Sequence, residues 1–212
     1  MTNLYIKTKY LKSAAIFASK DAVRYYINGV QVEVFERHIT LVSTDGNRLF
    51  IAHCALASDN FADKSMIGET FILPSDAIKK SLIGYKLGKI SIGIETNEIA
   101  NRFTLGDVTF IPIDGTYPNW RELINPDTVS HDEKPAQYDG RVLADFSKAS
   151  KILGNNRGYF DIGYNGDNLA PISFDDMNAA GLIMPVNPIG NSNYRAVFGQ
   201  AFVGQENNAK NV

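Results

Sequence analysis

The 212-residue chain is long enough for one large domain or two modest ones, and its 44% hydrophobic and 21% charged residues are typical of a globular protein. A net charge of −2 gives the whole chain no basic excess that would indicate bulk affinity for nucleic acid. No apolar run approaches the roughly 20 residues of a membrane-spanning helix, and no signal-peptide core is visible, so we expect a cytoplasmic protein. The single cysteine, Cys54, excludes an internal disulfide.

Three successive patterns occupy the first 35 residues. Residues 1–7 alternate as a strand, and apolar residues at helical spacing predict a helix over Lys9–Asp21. A period of two then runs from Val23 to Phe35 and contains Asn28-Gly29. This dipeptide is consistent with a hairpin turn or with a bulge in one long strand, and the pattern does not distinguish the two.

A hairpin is predicted over Ile39–Ala52 (ITLVSTDGNRLFIA). Two apolar runs flank Asp45-Gly46, and glycine accepts the positive φ that such turns require. Beside the turn are a hydroxyl (Thr44), a cation (Arg48) and a large apolar side chain (Leu49). Taken alone, the stretch indicates a plain hairpin with a solvated arginine.

Beyond the hairpin, the pattern predicts a loop, a strand, a helix and three further strands. The loop covers Ser58–Gly68, and the strand Glu69–Leu73 ends at a proline. Ser75 is a suitable N-cap for the helix, which we expect to end near Gly84. The alternating strands that follow are Lys89–Glu95, Glu98–Leu105 and Asp107–Ile113. This order predicts an antiparallel α+β layer that is repeated twice.

The C-terminal part repeats the α-β-β-β order once. We expect a helix over Val142–Leu153, ended by Gly154, and then three strands. These strands are Tyr159–Tyr164, Leu169–Phe174 and Ala179–Val186. The predicted organisation is a complete domain (1–125), a proline-containing linker (126–138), a partial domain (139–187) and a tail rich in Asn, Gly and Gln (188–212).

Charge is unevenly distributed between the predicted helices and the rest of the chain. The windows Lys9–Arg24, Ser75–Lys89 and Val142–Arg157 together hold 11 basic and 3 acidic residues, whereas the remainder holds 10 basic and 20 acidic residues. Lysine is a good helix former that is common on solvated helix faces, which explains the split without any function. The alternative is a helical face turned towards phosphates, which would give salt-sensitive contact independent of base sequence.

Residues that could carry catalysis or bind a metal show no functional spacing. His38, His53 and His131 are not spaced as metal ligands with each other or with Cys54. The sequence holds no Gly-x-Ser-x-Gly motif. We therefore expect no enzyme, no catalytic residue, no metal and no cofactor, and a small hydrolase is the least favoured interpretation.

Four stretches of the sequence resemble the bacterial DNA sliding clamp, the beta subunit of the replicative polymerase. They are VRYYINGVQVEV, ITLVSTDGNRLFIA, FILPSDAIKK and DGTYPNWRELI, and the resemblance to the middle of that family's three domains runs through nearly all of residues 1–126. The C-terminal part is similar to the second half of the last domain and ends in Leu182-Ile183-Met184-Pro185. The resemblance implies an α+β, DNA-clamp-like fold of antiparallel sheets with basic helices packed on one face.

The resemblance also implies two functional surfaces. A groove between the two domains would bind clamp-recognition peptides of polymerases or of the clamp loader. Its matching residues are Arg24, Ile27, Thr44, Gly46, Arg48, Leu49, Pro126, Ile183, Met184 and Pro185. The lysines that would face double-stranded DNA are Lys9, Lys12, Lys20, Lys79, Lys80, Lys86, Lys148 and Lys151. Asn47 stands where the family commonly has a histidine, so the polar mouth of the groove is expected to differ.

These inferences favour a shortened clamp relative that binds clamp-recognition peptides during DNA replication. The sequence offers about one and a half clamp domains, so two copies do not supply the six domains of a ring. The alternative is a DNA-encircling processivity factor built by homo-oligomerisation, in which the unpaired α-β-β-β units of two chains form one domain. No membrane partner is expected.

Overall fold

The computed structural model describes residues 6–56, 66–83, 103–124, 136–163, 165–166 and 168–186. Outside the described residues lie the predicted strand Lys89–Glu95, Lys86, Pro126, most of the predicted linker and the tail. The helices are α1 (Thr8–Phe17), α2 (Ser75–Ser81) and α3 (Gly140–Leu153), with 3₁₀ turns at Tyr25–Ile27 and Trp120–Leu123. The strands are β1 (Gly29–Val34), β2 (His38–Thr44), β3 (Arg48–Ala55), β4 (Thr70–Pro74), β5 (Phe103–Leu105), β6 (Val108–Phe110), β7 (Asp161–Ile162), β8 (Ala170–Ser173) and β9 (Ala179–Ile183).

One antiparallel sheet connects the N-terminal and C-terminal parts of the chain. Its strand order is β4-β1-β2-β3-β9-β8-β7, and β5 pairs with β6 in a separate two-stranded sheet. The predicted central hairpin is confirmed, because β2 pairs with β3 over His38–Thr44 and Arg48–Ala55. β3 pairs on its other side with β9, with Leu49 opposite Leu182. The three strands of the C-terminal unit therefore continue the sheet of the N-terminal part.

All three helices pack on one face of this sheet, which we call the helix face. Side chains on a strand alternate between the two faces, so Leu41 and Phe50 point towards the helices. The Phe17 ring of α1 stacks on Phe50 at 5.1 Å and meets Phe146 of α3 at 4.8 Å between ring centroids. Both parts of the chain thus contribute to one buried core.

The opposite, outer face of the sheet is covered by the chain that follows β6. Tyr117 and Trp120 pack on a second buried cluster that includes Val42, Leu49 and Leu182. The Tyr117 hydroxyl accepts a hydrogen bond from the backbone N–H of Thr44 at 3.0 Å. The turn-rich stretch with the only tryptophan is therefore part of the packing around the central hairpin.

The first helix is shorter than predicted. We expected it to reach Asp21, but α1 ends at Phe17 because Ala18 is extended, with φ −68° and ψ 141°. The next residue, Ser19, donates its backbone N–H to Ile27 at 3.0 Å. Tertiary pairing of the backbone therefore overrides the helical preference of the alanines, and Lys20 lies outside the helix.

The segment after α1 also differs from the prediction. The residues from Val23 to Ile27 are not a strand, because a 3₁₀ turn covers Tyr25–Ile27 and β1 begins at Gly29. Asn28-Gly29 is therefore neither a hairpin turn nor a bulge. A Cβ at Gly29 would collide with the carbonyl oxygen of Leu73, so the close pairing of β1 with β4 requires glycine here.

The predicted termini of the two other helices show opposite outcomes. Ser75 is not the N-cap of α2, since Pro74 occupies that position and the buried Ser75 hydroxyl has no hydrogen-bond partner among the described residues. α3 begins slightly earlier than predicted because the Asp139 carboxylate accepts a hydrogen bond from the N–H of Arg141. The predicted end of α3 at Gly154 is confirmed, and this residue has a φ of 129°, which only glycine adopts readily.

Candidate functional site

The centre of the candidate site is the bend between β2 and β3. The Thr44 hydroxyl donates to the carbonyl of Arg48 at 2.7 Å and accepts the N–H of Gly46 at 3.0 Å. The Asp45 carboxylate accepts the N–H of Asn47 at 2.9 Å. Gly46 has a φ of 96° and is exposed. Side-chain hydrogen bonds therefore hold this bend in one conformation at the surface.

Arg24 lies directly over the bend. Its guanidinium donates to the carbonyl of Asp45 at 3.3 Å and to the carboxylate of Asp21 at 2.9 Å. A Cβ added at Gly46 would lie 2.6 Å from the Arg24 Nη1 atom. The absence of a side chain at Gly46 thus allows the arginine to lie close to the backbone of the bend while Arg24 stays exposed to solvent.

Arg48 takes a structural position on the helix face. Its side chain is only 9% exposed and donates to Asp45 at 2.9 Å and to Asp145 of α3 at 2.8 Å. It also donates to the carbonyl of Ile16 at 3.4 Å, near the end of α1, and its guanidinium carbon lies 5.0 Å from the centroid of the Phe17 ring. Arg48 therefore ties the hairpin to α1 and α3, contrary to the simple interpretation of a solvated arginine.

The environment of Asp145 is consistent with this role. Burial alone would raise the pKa of its carboxyl group, but hydrogen bonds from Lys148 and Arg48 outweigh that effect and hold the pKa below its ordinary value. The carboxylate is therefore ionised at neutral pH. It forms a charged connection between the N-terminal and C-terminal parts.

The junction of β3 and β9 brings the C-terminal end of the site beside the bend. The N–H of Met184 donates to the carbonyl of Asn47 at 2.8 Å. Met184 is 47% exposed, and Pro185 is partly exposed. Ile183, by contrast, is buried on the helix face opposite Arg48.

The predicted groove residues therefore fall into two sets. Some are exposed or partly exposed around the bend, and we call this set the bend surface. Its members are Arg24, Thr44, Gly46, Met184 and Pro185. The others, Ile27, Arg48, Leu49 and Ile183, are largely buried, with Arg48 and Ile183 on the helix face and Leu49 on the outer face. Pro126 lies outside the described residues.

An ion-pair network on the outer face escaped the sequence analysis. Glu33 of β1 is buried and accepts hydrogen bonds from the Trp120 indole at 3.1 Å and from Arg121 at 3.0 Å. The Gln31 amide donates a further hydrogen bond to Glu33 at 2.8 Å. Burial would raise the pKa of the Glu33 carboxyl, but the hydrogen bonds from Arg121 and Trp120 lower it below the ordinary value. The signal in the sequence was a charge at position 33, on a strand whose valines alternate with Gln31 and Glu33.

Several of the predicted DNA-facing lysines have acidic partners. Lys9 contacts Asp176 at 2.6 Å, and Lys148 contacts Asp145 at 2.7 Å. Lys79 lies 3.4 Å from Asp76, and Lys12 is partly buried. Lys20, Lys80 and Lys151 are exposed, and Lys86 lies outside the described residues. The basic character of the helix side is thus partly neutralised within the chain.

Two cavities lie away from the bend surface. One, of about 1030 Å³, lies beside β4 and the chain after β6, and the other, of about 480 Å³, lies beside Lys9 and the end of α3. Neither is lined by a residue of the bend surface. None of the predicted groove residues that the structure describes lines either cavity.

The described residues offer no grouping of three or more His, Cys, Asp or Glu side chains that could hold a metal ion. Cys54 is buried in the core, and burial raises the pKa of its thiol to about 12, so the thiol is protonated at neutral pH. Among the helices of the described part, none is long and apolar enough to span a membrane.

Comparison with known proteins identifies related sequences. The family model of the DNA polymerase III beta subunit, central domain, matches residues 6–119. The beta sliding clamp of Buchnera aphidicola subsp. Rhopalosiphum padi is 30% identical over 133 residues, which cover 58% of this chain and 34% of that protein. The beta sliding clamp of Pseudomonas putida is 26% identical over 154 residues, which cover 70% of this chain and 39% of that protein. The chain thus spans little more than a third of the length of these relatives.

Solved structures show the same fold. The sliding clamp of Bacillus subtilis superposes with a TM-score of 0.63 at 16% identity, covering 88% of this chain and 64% of that one. The Bartonella birtlesii clamp bound to griselimycin gives a TM-score of 0.64 at 20% identity, with coverage of 88% and 66%. The H. pylori clamp in complex with diflunisal gives 0.65 at 13%, with coverage of 88% and 65%. The predicted α+β, clamp-like fold is therefore confirmed.

Proposed function

The chain belongs to the family of the DNA polymerase III beta subunit, and from this premise we propose that it is a shortened sliding-clamp-like protein of DNA replication. It binds clamp-recognition peptides of polymerases or of the clamp loader at the bend surface. The observation that supports this role is the pairing of β3 with β9, which places the bend beside the exposed Met184. The role is one of binding and involves no reaction.

The bend surface has the chemistry that a short apolar peptide requires. Met184 offers a flexible thioether that adapts to an inserted side chain. Arg24 offers charged donors towards peptide carbonyls or carboxylates, and its guanidinium lies against the exposed Gly46. An apolar anchor beside a few fixed polar groups is a common basis of specific binding of modest affinity.

In this proposal, the bend surface combines residues from both domains of the chain. We assign residues 1–125 to a complete clamp-like domain, 126–138 to the linker and 139–187 to a partial domain. Each side supplies part of the bend surface, with Arg24 and Gly46 from the first domain and Met184 and Pro185 from the second. Binding thus depends on the docking that Arg48 and Asp145 hold in place.

A fluorescent clamp-motif peptide tests the proposal by fluorescence anisotropy. Met184→Ala and Arg24→Ala are each expected to weaken binding about five- to tenfold, because each removes one anchor without entering the core. Met177→Ala is the matched control, since Met177 is 98% exposed at the turn between β8 and β9. Absence of binding at high micromolar protein, or equal loss in the control, would contradict the proposal.

A second candidate role, contact with double-stranded DNA by a DNA-encircling oligomer, is favoured by the helix side. All three helices lie on one face of a continuous sheet, and Lys80 and Lys151 are exposed there. The contact would be independent of sequence and sensitive to salt. Lys80→Glu and Lys151→Glu should weaken duplex binding and reduce its salt dependence, whereas Glu36→Lys, on the connection between β1 and β2, should change neither. If both lysine variants bind the duplex as tightly as the unaltered chain, this second role is contradicted.

A further inference from the structure

The larger of the two cavities, of about 1030 Å³, is lined by β4 and by the chain that follows β6. The backbone N–H of Ile113 donates to the carbonyl of Ile72 at 3.0 Å, which fixes that chain along β4. Tyr117, which also lines the cavity, is anchored by the hydrogen bond that its hydroxyl accepts from Thr44. Hydrogen bonds thus hold the walls in place, and the volume is close to the upper end of the range of about 300–1,000 Å³ that small-molecule sites occupy.

The wall of this cavity holds a buried hydrogen-bond acceptor without a partner. Gln31 lines the cavity and is 8% exposed. Its Nε2 atom donates to the ionised Glu33 carboxylate at 2.8 Å, and this orientation of the amide is fixed because a carboxylate only accepts. The Oε1 atom of Gln31 has no hydrogen-bond partner among the described residues. A buried acceptor in this state favours a ligand that brings an N–H or O–H group to it.

Aromatic rings line another part of the cavity. The rings of Phe71 and Phe103 lie 5.1 Å apart between centroids, and both residues are partly buried. Tyr117 contributes a third ring. Such rings give flat apolar contact to a further ring, and their faces attract a cation. The cavity therefore suits a ligand with an aromatic body.

The charged residues of the wall have one sign. Among the described residues that line the cavity, Glu69 and Asp114 are acidic and none is basic. Both acidic residues are exposed, so they stand on the solvent side of the wall. A cleft whose charges share one sign concentrates ligands of the opposite sign. This cavity therefore disfavours carboxylates and phosphates and favours an ammonium group.

We propose that this cavity is a binding site for small aromatic amines. The ring of the ligand packs beside Phe71 and Phe103, its ammonium group is attracted by Glu69 and Asp114, and its N–H groups match the unpartnered acceptor of Gln31. A neutral aromatic compound meets only part of these requirements, and an aromatic carboxylate meets them worst. The site does not depend on peptide binding, because no residue of the bend surface lines it.

Nuclear magnetic resonance titration of the full chain with phenethylamine tests the site. Phenethyl alcohol and hydrocinnamate carry the same ring with a neutral and a negative group. We expect the amine to bind with a dissociation constant on the order of 1 mM, as is usual for so small a ligand, and the carboxylate to bind about tenfold more weakly. The side-chain amide resonance of Gln31 and the N–H resonance of Ile113 should shift, whereas that of Ser150, beside the smaller cavity, should not.

Removal of the acidic charges should weaken binding of the amine alone. The double variant Glu69→Gln with Asp114→Asn is expected to bind phenethylamine about fivefold more weakly and phenethyl alcohol unchanged. Asp107→Asn is the matched control, because Asp107 is exposed at the turn between β5 and β6 and does not line the cavity. The dispersion of the resonances checks that each variant is folded.

An added positive charge should reverse the preference. Ile111 lines the cavity and is 67% exposed, so Ile111→Lys places an ammonium group there without entering the core. We expect this variant to bind hydrocinnamate more tightly than phenethylamine. Ile83→Lys adds the same charge at a residue that is 76% exposed and does not line the cavity, and it should leave the preference for the amine unchanged.

Three results would overturn the proposal. The first is the absence of shifts at Gln31 and Ile113 with all three compounds at tens of millimolar. The second is binding of the alcohol or the carboxylate as tight as that of the amine. The third is binding of the amine by the Glu69→Gln, Asp114→Asn variant as tight as by the unaltered chain. Loss or retention of clamp-motif peptide binding tests the bend surface and leaves these results as they stand.

Discussion

The two faces of the central sheet are held together in different ways. On the helix face, the aromatic rings of Phe17, Phe50 and Phe146 and the buried Arg48 join elements from both parts of the chain. On the outer face, a single segment containing Trp120 is fixed by apolar packing and by Glu33. The β3–β9 pairing and packing on both faces thus join the two parts, but the stacked aromatic rings and the buried ion pair that connect them lie on the helix face.

The largest effect on stability should come from removing a large side chain from the core that both parts of the chain share. Phe146→Ala removes a fully buried ring that contacts Phe17, and we expect a loss of about 4 kcal/mol in the free energy of unfolding. Urea titration followed by circular dichroism measures the loss. Phe35→Ala is the control, because that ring is partly exposed and should cost about 1 kcal/mol or less. Equal losses in the two variants would show that the helix face does not join the parts.

Removal of the buried guanidinium should have the next largest effect. Arg48→Met leaves Asp145 without its partner from β3, and we expect a loss of about 3 kcal/mol. Arg24→Met removes an exposed ion pair with Asp21 and should cost much less than Arg48→Met, because solvent screens that pair. Chemical denaturation compares the two. If the variants prove equally stable, Arg48 does not hold the parts together.

A smaller effect is expected on the outer face. Trp120→Phe keeps an aromatic ring over Leu49 but removes the N–H that donates to Glu33, and about 1 kcal/mol should be lost. A double-mutant cycle with Glu33→Gln measures how much of that loss comes from the hydrogen bond. A coupling energy of zero would mean that Trp120 acts by packing alone.

The smallest effect concerns the pH dependence of the same network. Because the folded state lowers the pKa of Glu33, its contribution is present above the ordinary pKa of glutamate and is lost as the pH falls through the lowered value. We expect the contribution to be under about 1 kcal/mol, since the Arg121 side chain is more than half exposed. Urea midpoints measured between neutral pH and pH about 3 should fall less steeply in Glu33→Gln. Parallel profiles would contradict this assignment.

The helix termini show how far local sequence information extends. The end of α3 at Gly154 was predictable because glycine alone adopts the required φ without strain. The end of α1 at Phe17 was not, because it depends on a hydrogen bond from Ser19 to Ile27 and on packing of the ring against α3. Helix propensity depends on neighbouring residues, whereas the partners that end α1 lie further along the chain.

The candidate site shows the same division. The Asp-Gly turn and the alternation of apolar residues in the sequence determined the bend. The sequence motifs determined the family resemblance. Only the tertiary structure decided that Arg48 is buried against Asp145 and that Leu49 lies beneath Trp120, while Met184 stays exposed. The physical reason is that a strand presents alternate residues to opposite faces, and the burial of each face depends on elements about 70 to 130 residues away. Those elements meet only when β9 pairs with β3 and α3 packs on α1.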